Sequence, residues 1–243
     1  MESPPLLEHP TVLNSRPGHA RVKDFAPHPR VDRRMQLALL LFIGFLGLTL
    51  LLYFKAGQDL DRACSTWLCG WGGPQVSQIS RNFARVGSKG LYVAVPLWAW
   101  LAWVCGRAPA LKLYLCVLAG HCCLLGATKF VIARPRPDSR SLTAHLDSFP
   151  SGHTLIALIL AGSFLLFVLP HCRHRGLRIG VCSVAIAWPL LMGMSRVQWG
   201  RHYVGDVLAS WLLGSSWLLL CSALFRWSIK PLKPSEAGLV TEP

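Results

Sequence analysis

Three separated clusters of polar residues in this sequence have the side-chain types that phosphoryl transfer requires. In chain order they contain Lys129 with Arg136, then Ser151, Gly152 and His153, then Arg196 with His202 and Asp206. An arginine can hold phosphate through two parallel hydrogen bonds, and a lysine contributes a point charge. A histidine beside a carboxylate is oriented and becomes a better nucleophile. Together they would provide cations for the equatorial oxygens, a nucleophile and an acid for the leaving oxygen.

The second cluster lies where a polar segment becomes an apolar helix. The run from Leu155 to Leu169 follows Phe149-Pro150-Ser151-Gly152-His153 directly. A helix N-terminus presents unpaired backbone N–H groups and a partial positive charge, which suit an anion such as phosphate. Gly152 would let a bound group approach the backbone closely. The alternative is that Pro150 and Ser151 only start the helix, in their usual N-terminal places.

The remaining candidates also have simpler explanations. Lys129 and Arg196 could be basic anchors at helix ends, and His202 could be an interfacial histidine. Asp206 could be an N-terminal acid that favours its helix dipole. His202 and Asp206 are four residues apart, however, so they would share a helix face. Only a common site explains all of the clusters together. His121 belongs to none of them; it lies inside an apolar block and is interpreted as a packed and hydrogen-bonded residue.

Composition predicts the elements that position these clusters. Of the 243 residues, 52% are hydrophobic and only 15% are charged, and the apolar residues form long blocks, which is typical of a membrane domain. We predict an all-α bundle of six spanning helices over residues 35–226, preceded by a flexible basic tail, 1–34, and followed by a tail, 227–243. Six blocks have the length of a span: residues 35–54, 88–105, 110–129, 153–170, 179–195 and 205–225.

This arrangement brings the three clusters to one side of the membrane, because they lie at the end of the third, the start of the fourth, the end of the fifth and the start of the sixth helix. The connection 55–87 is long, and its segment 76–86 has the pattern of an amphipathic interfacial helix. A short turn is predicted near residues 106–109. Cys64 and Cys69 could form a disulfide if their connection is periplasmic.

The net charge of +14 does not indicate nucleic acid, because the basic residues are scattered among hydrophobic blocks. Anionic lipid head groups and the bilayer surface are the expected partners. The basic tail and the short basic loops place both termini in the cytoplasm and the clusters outside. No Cys or His spacing is typical of a zinc site.

The motifs resemble those of a known family. Lys129-x6-Arg136-Pro137, Pro150-Ser151-Gly152-His153 and Ser195-Arg196-x5-His202-x3-Asp206 are similar, in order and spacing, to the three signature motifs of the type 2 phosphatidic acid phosphatase (PAP2) superfamily. The motifs cover residues 129–206, and the six-helix pattern extends the resemblance to about 35–226. It implies a bacterial inner-membrane lipid phosphatase with a periplasmic site, no metal or other cofactor, and no obligate protein partner.

The resemblance also implies roles for individual residues. His202 is expected to be the nucleophile that forms a phosphohistidine, Asp206 to orient it, and His153 to act as the general acid. The phosphate cradle is expected to contain Lys129, Arg136, Ser151, Gly152 and Arg196. Arg134, an additional cation before the arginine of the first motif, has no assigned role.

Three functions remain open at this stage. The first is hydrolysis of a lipid phosphate or pyrophosphate; the cationic outer surface favours undecaprenyl pyrophosphate, with phosphatidylglycerophosphate, phosphatidic acid and lipid A as alternatives. The second is phosphate transfer between lipids through the same phosphohistidine. The third is a non-enzymatic lipid transporter, which would leave His153, His202 and Asp206 without a role.

Overall fold

The computed structural model describes residues 32–137 and 147–225, and all regular structure in these ranges is helical. The helices are α1 (Arg33–Tyr53), α2 (Lys55–Gly70), α3 (Gly73–Ile132), α4 (Gly152–Val168), α5 (Arg175–Gln198) and α6 (Val204–Leu224), with a 3₁₀ helix at Leu169–His171. The all-α prediction is therefore confirmed for this part of the chain. The predicted tails, apart from residues 32–34, lie outside the described residues.

Five helical segments of the described chain are long and apolar enough to cross a membrane. They are Arg33–Tyr53, Ala108–Ile132, Gly152–His171, Arg175–Gln198 and Val204–Leu224, and they coincide with five of the six predicted spans. The sixth predicted span, residues 88–105, is helical but is not among these five. Its three tryptophans and Lys89 lower its mean hydropathy.

Helix α3 cannot be straight, although its helical backbone runs through 60 residues. The Tyr114 hydroxyl donates a 2.9 Å hydrogen bond to the Val95 carbonyl, 19 residues earlier, whereas a straight helix would separate such residues by about 28 Å. Pro109 lies inside the helix, where it lacks an N–H and crowds the preceding turn. The helix therefore folds back near the predicted turn, as an N-terminal arm (73–105) and a C-terminal arm (108–132).

Helix α2 occupies a stretch for which the sequence predicts only a polar connection. Its buried residues are Gly57, Asp61 and Ser65, spaced four apart, so its inner face is small and polar. The disulfide that the sequence allowed between Cys64 and Cys69 is not formed in this structure, where both residues are free thiols on this helix. Five residues apart, they point to different faces of the helix.

Two apolar clusters hold the helices together. One joins both arms of α3 to α4 and α6, with Tyr114, Phe167 and Leu218 among its members. The other lies beneath the polar clusters and includes Phe45 of α1, Phe149 before α4 and further apolar side chains of α4 and α6. His121 is buried, but its Nδ1 has no hydrogen-bond partner among the described residues, so the expected hydrogen bond is not present.

Candidate active site

One end of the helical bundle gathers the predicted residues around a cavity of about 360 Å³. The C-terminal ends of α3 and α5 meet the N-terminal ends of α4 and α6 there. The lining residues are Arg85, Ser88, Lys89, Arg136, His153, Arg196, Trp199, Arg201 and His202. Four predicted site residues thus share this cavity: Arg136, His153, Arg196 and His202. The other four, Lys129, Ser151, Gly152 and Asp206, do not line it.

The His202 imidazole is almost fully buried, with 3% of its surface exposed. Its Nδ1 lies 2.8 Å from the Ser148 carbonyl oxygen and 3.5 Å from Asp206 Oδ2. Both neighbours are acceptors, so Nδ1 carries the proton and donates a hydrogen bond to the Ser148 carbonyl. The lone pair of this neutral imidazole is therefore on Nε2, and burial lowers the pKa of His202 from its usual 6.5 despite the opposing effect of Asp206.

The Asp206 carboxylate, expected to orient His202, contacts several other groups more closely. Oδ1 accepts a 2.7 Å hydrogen bond from Arg134. Oδ2 accepts from the Ser148 hydroxyl at 2.5 Å and from the Tyr203 backbone N–H at 2.9 Å. Ser148 therefore joins the acid to the histidine, because its hydroxyl binds Asp206 while its carbonyl accepts from His202. The sequence did not indicate this link, since a backbone carbonyl has no residue-type signal.

Arg134 connects Asp206 to helix α2. Its second Nη donates to Asp61 Oδ2 at 2.7 Å, and its guanidinium lies 4.2 Å from the Tyr203 ring. The Asp61 side chain is 5% exposed and that of Arg134 is 11% exposed. Arg134 thus lies between two buried carboxylates and forms an ion pair with each, which gives a structural place to this arginine that had no assigned role.

Helix α2 also caps the first turn of α6. Asp61 Oδ1 accepts from the Gly205 N–H at 2.8 Å, and Ser65 Oγ accepts from the Val204 N–H at 2.9 Å. These are N–H groups that a helix start leaves unpaired. A Cβ on Gly205 would lie 2.8 Å from Asp61 Oδ2, so only glycine permits this approach. The turn that carries Asp206 is therefore fixed by a helix outside the motifs.

A second acidic residue holds the cations of the first motif. Asp147 accepts hydrogen bonds from Arg136 Nε at 2.7 Å and Nη2 at 2.9 Å, and from Lys129 Nζ at 3.3 Å. Arg136, and then Lys129, lower the pKa of Asp147 to about 2, although burial opposes this. Asp147 therefore links Lys129 to Arg136.

The second motif links α4 to its neighbours. The Ser151 N–H donates to the Asp206 carbonyl at 3.2 Å, and the Ser151 carbonyl accepts from the Ser210 hydroxyl at 3.0 Å. A Cβ on Gly152 would lie 3.1 Å from Leu125 Cδ2. The absence of a side chain at Gly152 therefore admits α3, rather than leaving space for a ligand as the sequence suggested.

The N-terminal arm of α3 contributes three lining residues that sequence reasoning missed: Arg85, Ser88 and Lys89. The Ser88 hydroxyl accepts a 3.0 Å hydrogen bond from Arg196 Nη2. These residues precede the first motif by some forty positions, yet their spacing of three and four places them on one helix face. That spacing, across the end of the predicted interfacial segment and the start of the predicted span 88–105, is the signal that could have indicated them.

A second cavity, of about 570 Å³, lies elsewhere among the described residues. Its lining includes apolar side chains of α1 and of the end of α3, together with Arg134 and Tyr203. It contains none of the eight predicted site residues, but it lies against the Arg134 side chain that binds Asp206.

The sequence of this chain is similar to those of known proteins. Phosphatidylglycerophosphatase B of Bacillus subtilis (strain 168) is 27% identical over 180 residues, which cover 72% of this chain and 87% of that protein. Phosphatidylglycerophosphatase B of Haemophilus influenzae is 42% identical over 76 residues, 30% of this chain and 29% of that protein.

Two solved structures share the fold. A crystal structure of a transmembrane PAP2 type phosphatidylglycerolphosphate phosphatase from Bacillus subtilis superposes with a TM-score of 0.67 at 26% identity and covers 77% of this chain and 94% of that one. Aquifex aeolicus LpxE gives a TM-score of 0.51 at 21% identity over 69% of this chain and 94% of that one. Residues 109–230, half of the chain, match the sequence model of the PAP2 superfamily. The chain therefore belongs to the PAP2 superfamily, as its three motifs predict.

Proposed function

We propose that this protein is a membrane lipid phosphatase that works through a phosphohistidine on His202. The observation that carries the proposal is the state of the buried imidazole, whose Nδ1–H faces the Ser148 carbonyl and Asp206. Its Nε2 lone pair is left for a cavity lined by cations. A neutral imidazole beside fixed positive charge is suited to attack a phosphate.

In the proposed first step, His202 Nε2 attacks the phosphorus atom and the bond to the lipid oxygen breaks. His153, which lines the same cavity, gives its proton to that leaving oxygen. Water then attacks the phosphohistidine, with its proton going to His153, and inorganic phosphate leaves. Arg136 and Arg196 stabilise the equatorial oxygens of the phosphate. Asp206 orients His202, because its carboxylate lies 3.5 Å from Nδ1 and accepts a hydrogen bond from the N–H of the next residue, Tyr203.

For Lys129, Ser151 and Gly152 the proposal rests on the motif match and on the helix start. The N-terminus of α4 begins at Gly152 and carries the partial positive charge of the helix dipole. Lys129 supports Arg136 through Asp147. These three residues are therefore proposed to contribute to phosphate binding from behind the cavity wall.

Two of the candidate substrates carry two phosphate groups, which suits the cationic lining of the cavity. The names of the relatives from Bacillus subtilis and Haemophilus influenzae support phosphatidylglycerophosphate, and we rank it first. The excess of positive charge supports undecaprenyl pyrophosphate as the second candidate. Phosphatidic acid and lipid A are weaker candidates. A lipid-to-lipid phosphotransferase would form the same phosphohistidine, but it would not release phosphate without a second lipid.

We also propose that the site faces the periplasm of a bacterial inner membrane, with both termini in the cytoplasm. The cavity lies at one end of the bundle. The opposite end, where α4 stops and α5 starts, carries Arg173, Arg175 and Arg178. Basic residues in short loops favour the cytoplasmic side. No obligate protein partner is proposed.

The test of the function is phosphate release by the purified protein in detergent, without an acceptor lipid, from the four candidate lipids. A phosphoenzyme should be trapped on His202, and His202→Ala should abolish both phosphoenzyme and release. His174→Ala, an exposed histidine at the opposite end, is the matched control and should retain activity. A phosphoenzyme on another residue would contradict the proposed nucleophile.

A further inference from the structure

We infer that Arg85, Lys89 and Arg201, which line the cavity together with Trp199, form a second anion subsite next to His202. Its ligand would be the phosphate group that stays on the lipid after the terminal phosphate has been transferred. The inference rests on the proposed function and narrows it to substrates with two phosphate groups. Arg85 and Lys89 precede residues 109–230, the part of the chain that matches the superfamily.

The first argument is charge. Five lysines and arginines line the cavity, and no aspartate or glutamate does. Among the described residues, only Arg136 of these five is paired with a carboxylate, Asp147. Like charges in one cavity repel each other, so the surplus cations are expected to bind an anion. One transferred phosphate occupies the neighbourhood of Arg136 and Arg196, which leaves three cations for a second group.

The second argument is the arrangement about Trp199. The guanidinium carbons of Arg201, Arg196 and Arg85 lie 5.0, 5.4 and 5.8 Å from the centre of its indole ring. Cations at such distances are attracted to the negative face of the ring. Trp199 therefore holds Arg196, from the third motif, beside Arg85 and Arg201. Two anion-binding groups of residues thus lie side by side around one ring.

The third argument is a buried donor without a partner. Arg196 is only 4% exposed, and its Nε has no hydrogen-bond partner among the described residues. An unpaired buried donor of this kind is costly, and the transferred phosphate proposed to bind at Arg196 would satisfy it. Nη2 of the same guanidinium donates to Ser88, which lies between Arg85 and Lys89 on the α3 arm. The arm is thereby fixed against the cavity.

The cavity volume agrees with a larger head group. At about 360 Å³, it has the size of small-molecule sites. The second phosphate could be part of a pyrophosphate or a phosphodiester one glycerol away. Both ligands present an anionic phosphate close to the reacting one. Comparing a pyrophosphate lipid with a phosphodiester lipid as substrates distinguishes between them.

The test compares Arg85→Gln, Lys89→Gln and their double variant with Arg81→Gln. Arg81 is on the same helix, bonds to Ser77 and Gln78 and does not line the cavity. The substrates are phosphatidylglycerophosphate, undecaprenyl pyrophosphate and phosphatidic acid in one detergent. We expect the double variant to lose at least tenfold in kcat/KM, about 1.4 kcal/mol, on one or both of the first two, mainly through KM. The loss on phosphatidic acid should be at least tenfold smaller.

A loss confined to undecaprenyl pyrophosphate identifies adjacent phosphates as the ligand, and a loss confined to phosphatidylglycerophosphate identifies the phosphodiester. Equal losses on all three lipids, or no greater loss than in Arg81→Gln, would overturn the inference.

A binding measurement keeps the subsite separate from the catalytic proposal. Inorganic pyrophosphate should raise the melting temperature of the wild-type protein and of Arg81→Gln more than that of the double variant. Inorganic phosphate should not distinguish them as strongly. If the wild-type protein releases no phosphate from any lipid, the proposed function fails while this shift still tests the subsite. Equal shifts in all variants would overturn the subsite.

Discussion

The contact between α2 and α6 leads to a quantitative prediction for Asp61→Ala. This change removes one partner of Arg134, whose side chain is 11% exposed, and the acceptor of the buried Gly205 N–H. Arg134 keeps its ion pair with Asp206, so the cost is that of two donors left without an acceptor, about 1–3 kcal/mol each. In a chain of this size, each kcal/mol lowers the melting temperature by about 2–4 °C. The sum, about 2–6 kcal/mol, predicts a decrease of roughly 4–24 °C.

The assay is thermal unfolding of the full-length protein in one detergent, together with phosphate release. Asp59→Ala is the matched control, because Asp59 is on the same helix but its side chain is 55% exposed and 3.6 Å from Arg62. A surface pair of this kind contributes about 0–1 kcal/mol. Activity of Asp61→Ala should also fall, since the turn that carries Asp206 loses its cap.

A double-variant cycle with Arg134→Gln separates pairing from a general loss of structure. If Asp61 and Arg134 act as a pair, the double variant is less destabilised than the two single losses add up to. Full additivity, or a decrease in melting temperature for Asp61→Ala no larger than that for Asp59→Ala, would refute the reasoning.

Three further predictions test the site and its orientation. His153→Ala should reduce activity much more on an alkyl phosphate than on p-nitrophenyl phosphate, because a good leaving group needs less acid assistance; equal losses would contradict the assigned acid. The midpoint of the acid limb of kcat/KM should lie below pH 6.5, because burial lowers the pKa of His202 and protonation removes the Nε2 lone pair. The titratable and charged groups around His202 are Asp206, Arg136 and His153. A limb above pH 6.5 would count against a neutral nucleophile. Finally, with Cys69 as the sole cysteine, a membrane-impermeant maleimide should label intact cells, whereas a sole cysteine from His174→Cys should react only after permeabilisation; the reverse pattern would invert the proposed orientation.

The helices and their convergence follow from local signals. Apolar blocks are continuous in the sequence, so five predicted spans coincide with helical segments. The motifs at their ends then meet at one end of the bundle because antiparallel neighbours alternate direction. Pro109 within a polar interruption indicated where α3 folds back.

Helix α2 was missed because hydropathy detects apolar burial, whereas this helix buries Gly57, Asp61 and Ser65. Its partners are distant in sequence: Arg134 is 73 residues from Asp61, and Gly205 is 144 residues from it. A polar residue that is buried because of such a partner has the same sequence appearance as one in a loop.

The sequence by itself determined the family, the helical membrane fold and four of the residues that line the cavity: Arg136, His153, Arg196 and His202. These properties depend on residue type, spacing and the order of apolar blocks. The tertiary structure alone decided that the Ser148 carbonyl accepts a hydrogen bond from His202, that Arg134 joins Asp206 to Asp61, and that the α3 arm adds cations to the cavity. Each of these is a contact between distant segments or with a backbone atom, so its energy depends on packing that no local pattern records.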